Sequence, residues 1–517
     1  MPSTPDLLLI NANIITLDPL LPKASWVALG NGKIISKGEY HPWTPDDFPK
    51  AEIIDCHGRS VLPGFIDAHL HLLSFAESLV TLNLKPENGV RSIAAIKSMI
   101  HEKSRKLPPD SWIRGKGYNE FYLKEKRQPN RWDLDEAAPN HPVKLTHRSG
   151  HAHVLNSLAM KLTGITMETA EPTGGIIERD LDRGVPNGLL YEMGDFLSAR
   201  IVPIDDMELE KGMEMADREL ISSGITTIHD ASFRNDRERW RLYRSWKEGG
   251  NFHPRLHMML GIRSFQQNGL DNFLTYPNPE HQKLNGVKIL LDETTGQLLP
   301  TQSELDEMVF SIHKAGMQVA IHAIEESAVE SAYLAIKNSL ERIPRPDHRH
   351  RIEHCSVCPP SLAKSMAELG ILVVSQPGFI YDNGDRYLVT VGPDQLPYLY
   401  PFRSLLEAGI RVAGSSDCPY ALINPLIAIS SAICRKSKGG KRVTRGEGIQ
   451  ALDALKMYTE YGAYSTFSEG IKGSISPGKL ADLVVLSEDP LKIPPDEIKD
   501  IRVEMTIIDG MVVYAEC

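Results

Sequence analysis

The chain has 517 residues, 41% hydrophobic and 24% charged, enough for one large domain with smaller ones attached or for two to three domains. Its net charge of −10, from 57 basic against 67 acidic residues, argues against a general nucleic-acid binder, and no run of about 18 apolar residues is present to span a membrane. Six cysteines are too few for a disulfide scaffold, and the start "MPSTPDLLLINANIITLDP" lacks the basic segment of a secretory signal, so the cytoplasm is the expected location.

The first sixty residues read as short β runs between turns: "DLLLINANIITL", "WVALGNGKIISKG" and "AEIIDCHGRSVLPG". The last fifty resume that style in "GSISPGKLADLVVLSEDP" and "EMTIIDGMVVYAE". Both ends are rich in β-branched residues bounded by Gly, Asp or Asn, and residues 1–60 plus 470–517 are predicted to form one composite β-sandwich domain.

Between the ends, apolar runs alternate with stretches of helical spacing. After "PGFIDAHLH" come "GITTIHDAS" (224–232), "RLHMML" (255–260), "GVKILLDE" (286–293), "QVAIHAI" (318–324), "RHRIEHC" (349–355), "GILVVSQP" (370–377) and "RVAGSSD" (411–417). Eight strand candidates separated by helices predict a (β/α)8 TIM-like barrel over 61–71 plus 204–469, with chemistry where the strands end. The stretch 72–203 is far too long for a βα loop and reads as an inserted α/β subdomain after strand one. Its Gly-rich "EPTGGIIERDLDRGVPNGLLYE" lacks phosphate-loop spacing and is predicted to form hairpin turns. Cys355 and Cys358 form a CxxC with no second CxxC beside it, so neither zinc nor redox chemistry is assigned to them.

Polar residues collect at the predicted strand ends: His69 and His71 after strand one, Lys288 in strand four, His322 and His354 after strands five and six, and Asp417 after strand eight. Imidazole and carboxylate are the usual ligands of a catalytic zinc-type ion, and an i, i+2 pair in a strand points both rings to one face. Taken singly, each has a plainer account. A histidine at a strand end is commonly a hydrogen-bonded core residue, Lys288 could snorkel from an apolar stem, and Asp417 could cap a helix. The order HxH, Lys, His, His, Asp along the barrel is what sets them apart.

With "NANIITLD", "LPGFIDAHLH", "GHAHVLNSLAM", "GITTIHDA", "GVKILLDE", "VAIHAI", "RIEHC", "AGSSDCP" and "GSISPGKLADLVVL", the chain resembles the amidohydrolase superfamily over nearly its whole length. Within it, the resemblance is to the YtcJ-type metal-dependent hydrolases (amidohydrolase family 3), relatives of N-substituted formamide deformylase. The resemblance implies one or two divalent metals per chain, of the zinc type. His69 and His71 would hold the more buried ion, Lys288 carrying a carbamate would bridge two ions, and His322 and His354 would hold the second. Asp417 would ligate the buried ion and carry a proton from a metal-activated hydroxide to the departing nitrogen.

Two departures from the family pattern matter. "HAIEE" stands where the YtcJ type usually has "HAIGD", so that His322 and Glu325 form the HxxE of mononuclear deaminases, in which the Glu handles protons; the plainer account of Glu325 is the first turn of the next helix. "DETTGQLLPTQSEL" is shorter than the usual loop after strand four, which should open the mouth and change substrate preference. The expected activity is hydrolysis of a non-peptide C–N bond in a small amide or N-acyl or N-formyl compound. The alternatives are a heterocycle deaminase using Glu325 and a non-catalytic relative. His151, in "RSGHAHVLNS", is a candidate substrate contact or else a hydrogen-bonded structural histidine. The expected partner is a small-molecule substrate, with no nucleic acid and no membrane, and a homo-oligomer is compatible with the sequence.

Overall fold

The computed structural model describes residues 5–39, 50–269, 280–293 and 296–516. By compactness the chain divides into two units: one holds residues 1–71, 217–293 and 298–517, the other residues 72–216 and 294–297.

The first unit contains the eight-stranded parallel sheet. Its strands are β1 (Phe65–Leu70), β2 (Ile225–Asp230), β3 (Arg255–Gly261), β4 (Gln282–Leu290), β5 (Val319–Ala323), β6 (Arg351–His354), β7 (Leu372–Ser375) and β8 (Val412–Gly414), adjacent in chain order. Nearly every residue in them is buried, as parallel strands covered on both faces require. Strand four starts earlier and ends earlier than its hydrophobic run suggests, because Gln282–Leu284 pair with Leu256–Met258 of β3, whereas Asp292 leaves the sheet to bridge Leu299. The shortened loop beyond it includes residues 294–295, which lie outside the described residues.

Helices return the chain between strands. Arg237–Glu248 is capped by Asp236, whose side chain accepts from the Arg239 N–H, and it buries Trp240, Tyr243 and Trp246 along one stripe. Its Tyr243 hydroxyl donates to Asp230 at 2.5 Å, which fixes the end of β2.

The same unit carries two further sheets. Residues 33–38, 26–30, 7–10 and 52–55 form one. The other has the order 511–515, 503–508, 483–486, 60–63, 13–15 and 23–24, and Leu483↔Pro63 to Leu486↔Ser60 pair antiparallel across the two chain ends. Leu7, Leu9, Val27 and Leu29 from the first sheet share a core with Ile14, Val61, Leu483, Val485 and Ile507 from the second.

The second unit has its own six-stranded sheet and its own core around Ile96, Ile113, Leu134 and Leu145. Its strands Ile176–Arg179 and Pro186–Tyr191 pair antiparallel around a turn closed by the Gly184 N–H to Asp180. No helix among the described residues is long and apolar enough to cross a membrane.

Candidate metal centre

The end of β1 is tied to the segment that follows β8. The Asp417 N–H donates to the His69 carbonyl at 2.8 Å, and the His71 N–H donates to the Cys418 carbonyl at 2.9 Å. Asp67 adds a side-chain link, one oxygen accepting from the backbone N–H groups of His69 (3.2 Å) and Ser416 (3.1 Å). Burial pushes the Asp67 carboxyl up to about 7 although Ser416 and His69 donate to it. Asp417 has a left-handed backbone, φ +57°, which non-glycine residues adopt at a cost of about 1–3 kcal/mol. It starts a turn, and the helix beyond it, Pro425–Cys434, is capped by Asn424 instead. Held this way, Asp417 points its carboxylate at the two histidines.

His69 Nε2 lies 3.4 Å and His71 Nε2 3.0 Å from the same Asp417 oxygen, and the three ligand atoms fall within 4.8 Å of one another. Despite these distances, neither Asp417 Oδ1 nor His69 Nε2 has a partner aligned for a hydrogen bond. The far sides of the rings explain why. His69 Nδ1 is in hydrogen-bond contact with the Glu353 carboxylate, an acceptor, so the ring proton belongs on Nδ1 and a lone pair belongs on Nε2. His71 Nδ1 meets the Ser232 hydroxyl at 2.9 Å, which allows the same tautomer. The lone pair of His69 Nε2 then faces a carboxylate in a buried place. Burial by itself would raise the Asp417 pKa, but the neighbouring His71, His354 and His69 outweigh it and hold the acid well below the usual carboxylate range. Two imidazole nitrogens and a carboxylate oxygen converging in a buried place suit a cation, so the residues present fit a divalent metal.

His354 and His322 form the adjoining wall. The His354 ring centroid is 5.0 Å from that of His69 and 4.4 Å from that of His322. His354 Nδ1 lies 2.8 Å from the Gln376 side-chain oxygen, and the Gln376 amide nitrogen donates to Ser415 Oγ at 3.0 Å, which sets the amide's orientation and leaves His354 Nε2 as the open nitrogen. Burial and the nearby Lys288 lower the pKa of His69 well below its ordinary value, and burial also lowers that of His354.

Lys288 sits on β4 between Gly261 of β3 and Ala320 of β5. It is 2% exposed and its ammonium makes no hydrogen bond among the described residues, so it does not snorkel to water. Burial brings its pKa down to about 8, with Glu353, Arg351 and Asp417 acting on it electrostatically. An amine of that basicity is neutral in about one molecule in ten at pH 7, against far fewer for an exposed lysine. The neutral form is the one that can react with CO2.

Two further predicted residues, Glu325 and His151, have other neighbours. Glu325 is exposed at the N-terminus of the helix Glu326–Arg342, its N–H donating to Glu293 at 3.0 Å and its carboxylate 3.5 Å from the Gln395 amide. His151 belongs to the second unit, where its Nδ1 lies 2.7 Å from Glu192. Conversely, sequence reading passed over Asp67, Ser232, Glu353 and Gln376. A carboxylate directly before a predicted ligand on a wholly buried strand was the available signal for Glu353.

A model of the amidohydrolase family matches residues 52–514. N-substituted formamide deformylase of Arthrobacter pascens is 31% identical over 542 aligned positions, covering 98% of each chain. The Bacillus subtilis (strain 168) protein YtcJ, named as an amidohydrolase, is 29% identical, covering 90% of this chain and 91% of its own. Among solved structures, a metal-dependent hydrolase from Pyrococcus horikoshii OT3 superposes with a TM-score of 0.75 at 22% identity, over 95% of this chain and 99% of that one. The chain belongs to the amidohydrolase family and is a hydrolase of carbon–nitrogen bonds other than peptide bonds.

Proposed function

We propose that the protein hydrolyses the C–N bond of a small amide, in particular an N-formyl or N-acyl compound, with a zinc-type divalent ion held by His69, His71 and Asp417. The observation that carries this reading is the convergence of His69 Nε2, His71 Nε2 and Asp417 Oδ1 within 4.8 Å of one another in a buried place. Lys288 as a carbamate, with His322 and His354, would hold a second ion. A bound divalent ion supplies a water whose pKa falls to about 7 and polarises the scissile carbonyl. Asp417 accepts the proton of the attacking water and delivers it to the departing nitrogen, for which its ionised state suits it. The formamide substrate class is supported by the name of the Arthrobacter relative. A deaminase reading needs Glu325 at the reacting atoms, yet that carboxylate is exposed beside Gln395.

Metal analysis of the purified chain, followed by a screen of N-formyl and N-acyl compounds on metal-reconstituted enzyme, tests the proposal. Two ions per chain and turnover of such compounds are expected. Lys288→Ala should lower metal content and activity together, with short carboxylic acids restoring part of both. His69→Ala with undiminished metal would refute the ligand assignment.

A further inference from the structure

The ring of His69 is backed by a charged pair deep inside the barrel. Glu353 and Arg351, both on β6 and both fully buried, face the interior two residues apart. The Arg351 guanidinium donates to both Glu353 oxygens, to the Ala68 carbonyl of β1 at 2.8 Å and to His229 Nδ1 of β2 at 3.1 Å. His229 passes the chain on, its Nε2 lying 3.2 Å from the Asn285 carbonyl of β4. Four strands thus lock one carboxylate in place, and one of its oxygens meets His69 Nδ1.

The other ring partners differ in charge. His71 Nδ1 meets a neutral hydroxyl, and His354 Nδ1 meets a neutral amide oxygen. An anion accepting from an imidazole N–H fixes the tautomer and makes the opposite nitrogen a better donor of its lone pair; removing such a partner from a metal-ligating histidine typically costs 10–100-fold in metal affinity.

We propose that Glu353, held by Arg351, is the positioning residue of the metal centre: it orients His69 and raises its strength as a ligand, acting through that ring without touching the ion. The inference rests on the metal reading above. His354, the next residue, also reaches the centre because its backbone turns left-handed, φ +72°, breaking the strand alternation that would send residues 353 and 354 to opposite faces. One strand end therefore supplies both a ligand and the support of another.

The test measures Zn²⁺ affinity of the apo-protein by competition with a chromophoric chelator, for the parent, Glu353→Gln, Glu353→Asp, His69→Ala and His69→Ala/Glu353→Gln. Glu353→Gln is expected to bind about 10–100-fold more weakly, Glu353→Asp to fall between it and the parent, and Glu353→Gln to change nothing further once His69 is gone. An affinity within twofold of the parent, or an equal loss in the His69→Ala background, would overturn the proposal. If Glu353→Gln does not fold, Glu353→Asp decides alone: weaker binding supports the role and parental affinity refutes it. A parent that binds no Zn²⁺ would instead refute the metal reading itself.

Discussion

Two clusters of buried charge lie at opposite ends of the barrel, and they are built on opposite rules. At the start of β3, Arg255 is wholly buried and donates to both oxygens of Asp482, at 2.6 and 2.9 Å, and also to Asp509. Its remaining nitrogen reaches the Glu280 carbonyl at 3.3 Å. Asp482 in turn accepts from the Asp509 N–H at 3.1 Å. Donors meet acceptors throughout, and because Asp482 and Asp509 flank the strands Leu483–Leu486 and Val503–Ile508, the cluster fastens the terminal sheet to the barrel. At the other end, His69, His71 and Asp417 converge within 4.8 Å, and the Lys288 amine makes no hydrogen bond among the described residues. A buried polar group costs free energy unless it is paired. The first cluster avoids that cost by pairing internally, while the second is arranged for something that arrives from outside. Charges that pair with one another mark the structural cluster, and ligand atoms that converge on one point mark the candidate metal centre.

The contrast breaks most visibly at Asp417. Asn has nearly the same shape and tolerates a left-handed backbone, so Asp417→Asn should fold. General acid–base chemistry is typically worth about 10²–10⁴-fold, so turnover should fall by at least that range. The amide can donate to a histidine lone pair where the carboxylate could not. The metal-free variant should therefore melt no lower than metal-free parent, and most of the metal should still bind to the parental ligands that remain. Thermal melts in chelator, read beside turnover numbers, check both halves. A variant that lost stability and activity alike would place Asp417 with the structural residues.

Arg255→Met is the opposite experiment. Methionine fills part of the volume but leaves Asp482 and Asp509 without their cation, and breaking a buried ion pair from one side costs about 3–5 kcal/mol. Urea unfolding should show that loss. Metal bound per folded chain should stay at the parental level, since no residue of the metal centre has moved. Loss of metal from folded protein would mean that the two ends are coupled.

Much of the candidate metal centre is legible in the sequence because strand periodicity is short-range. His69 and His71 share a face by the period of two, and the alternation of apolar runs with helices orders Lys288, His322, His354 and Asp417 along successive strands. What escaped depends on departures from that period or on distant partners. Regular alternation would send Glu353 and His354 to opposite faces, and only the left-handed backbone at His354 and Cys355 brings both to the cluster. Asp67 gains its role from Ser416, and Arg255 from Asp482, pairings that no local pattern announces. HxxE spacing places Glu325 near His322 in sequence, where the chain has left the strand and begins the helix Glu326–Arg342.

The smallest effect expected concerns Lys472, a buried amine outside those ion pairs that feels the charges of Arg255 and Asp482. It is buried, and its amine donates to His257 Nε2 at 3.1 Å and lies 3.3 Å from Thr227 Oγ1, two neutral partners. Burial, reinforced by the charge of nearby Arg255, brings its pKa from 10.5 down to about 7, against the opposing pull of Asp482. Between those two values the unfolded chain keeps the proton and the folded chain releases it. The unfolded state then binds more protons, so this group makes stability rise with pH across that window, and below about pH 7, where both states are protonated, its penalty stands in full. Lys472→Met removes the ammonium and its penalty. Urea unfolding of parent and variant from pH 7 to pH 10 should show the variant's advantage greatest at pH 7 and shrinking as pH rises, with bound metal unchanged at pH 7. Parallel stability curves would mean that Lys472 keeps its charge inside the fold, and an uncompensated cation would then stand beside the structural cluster.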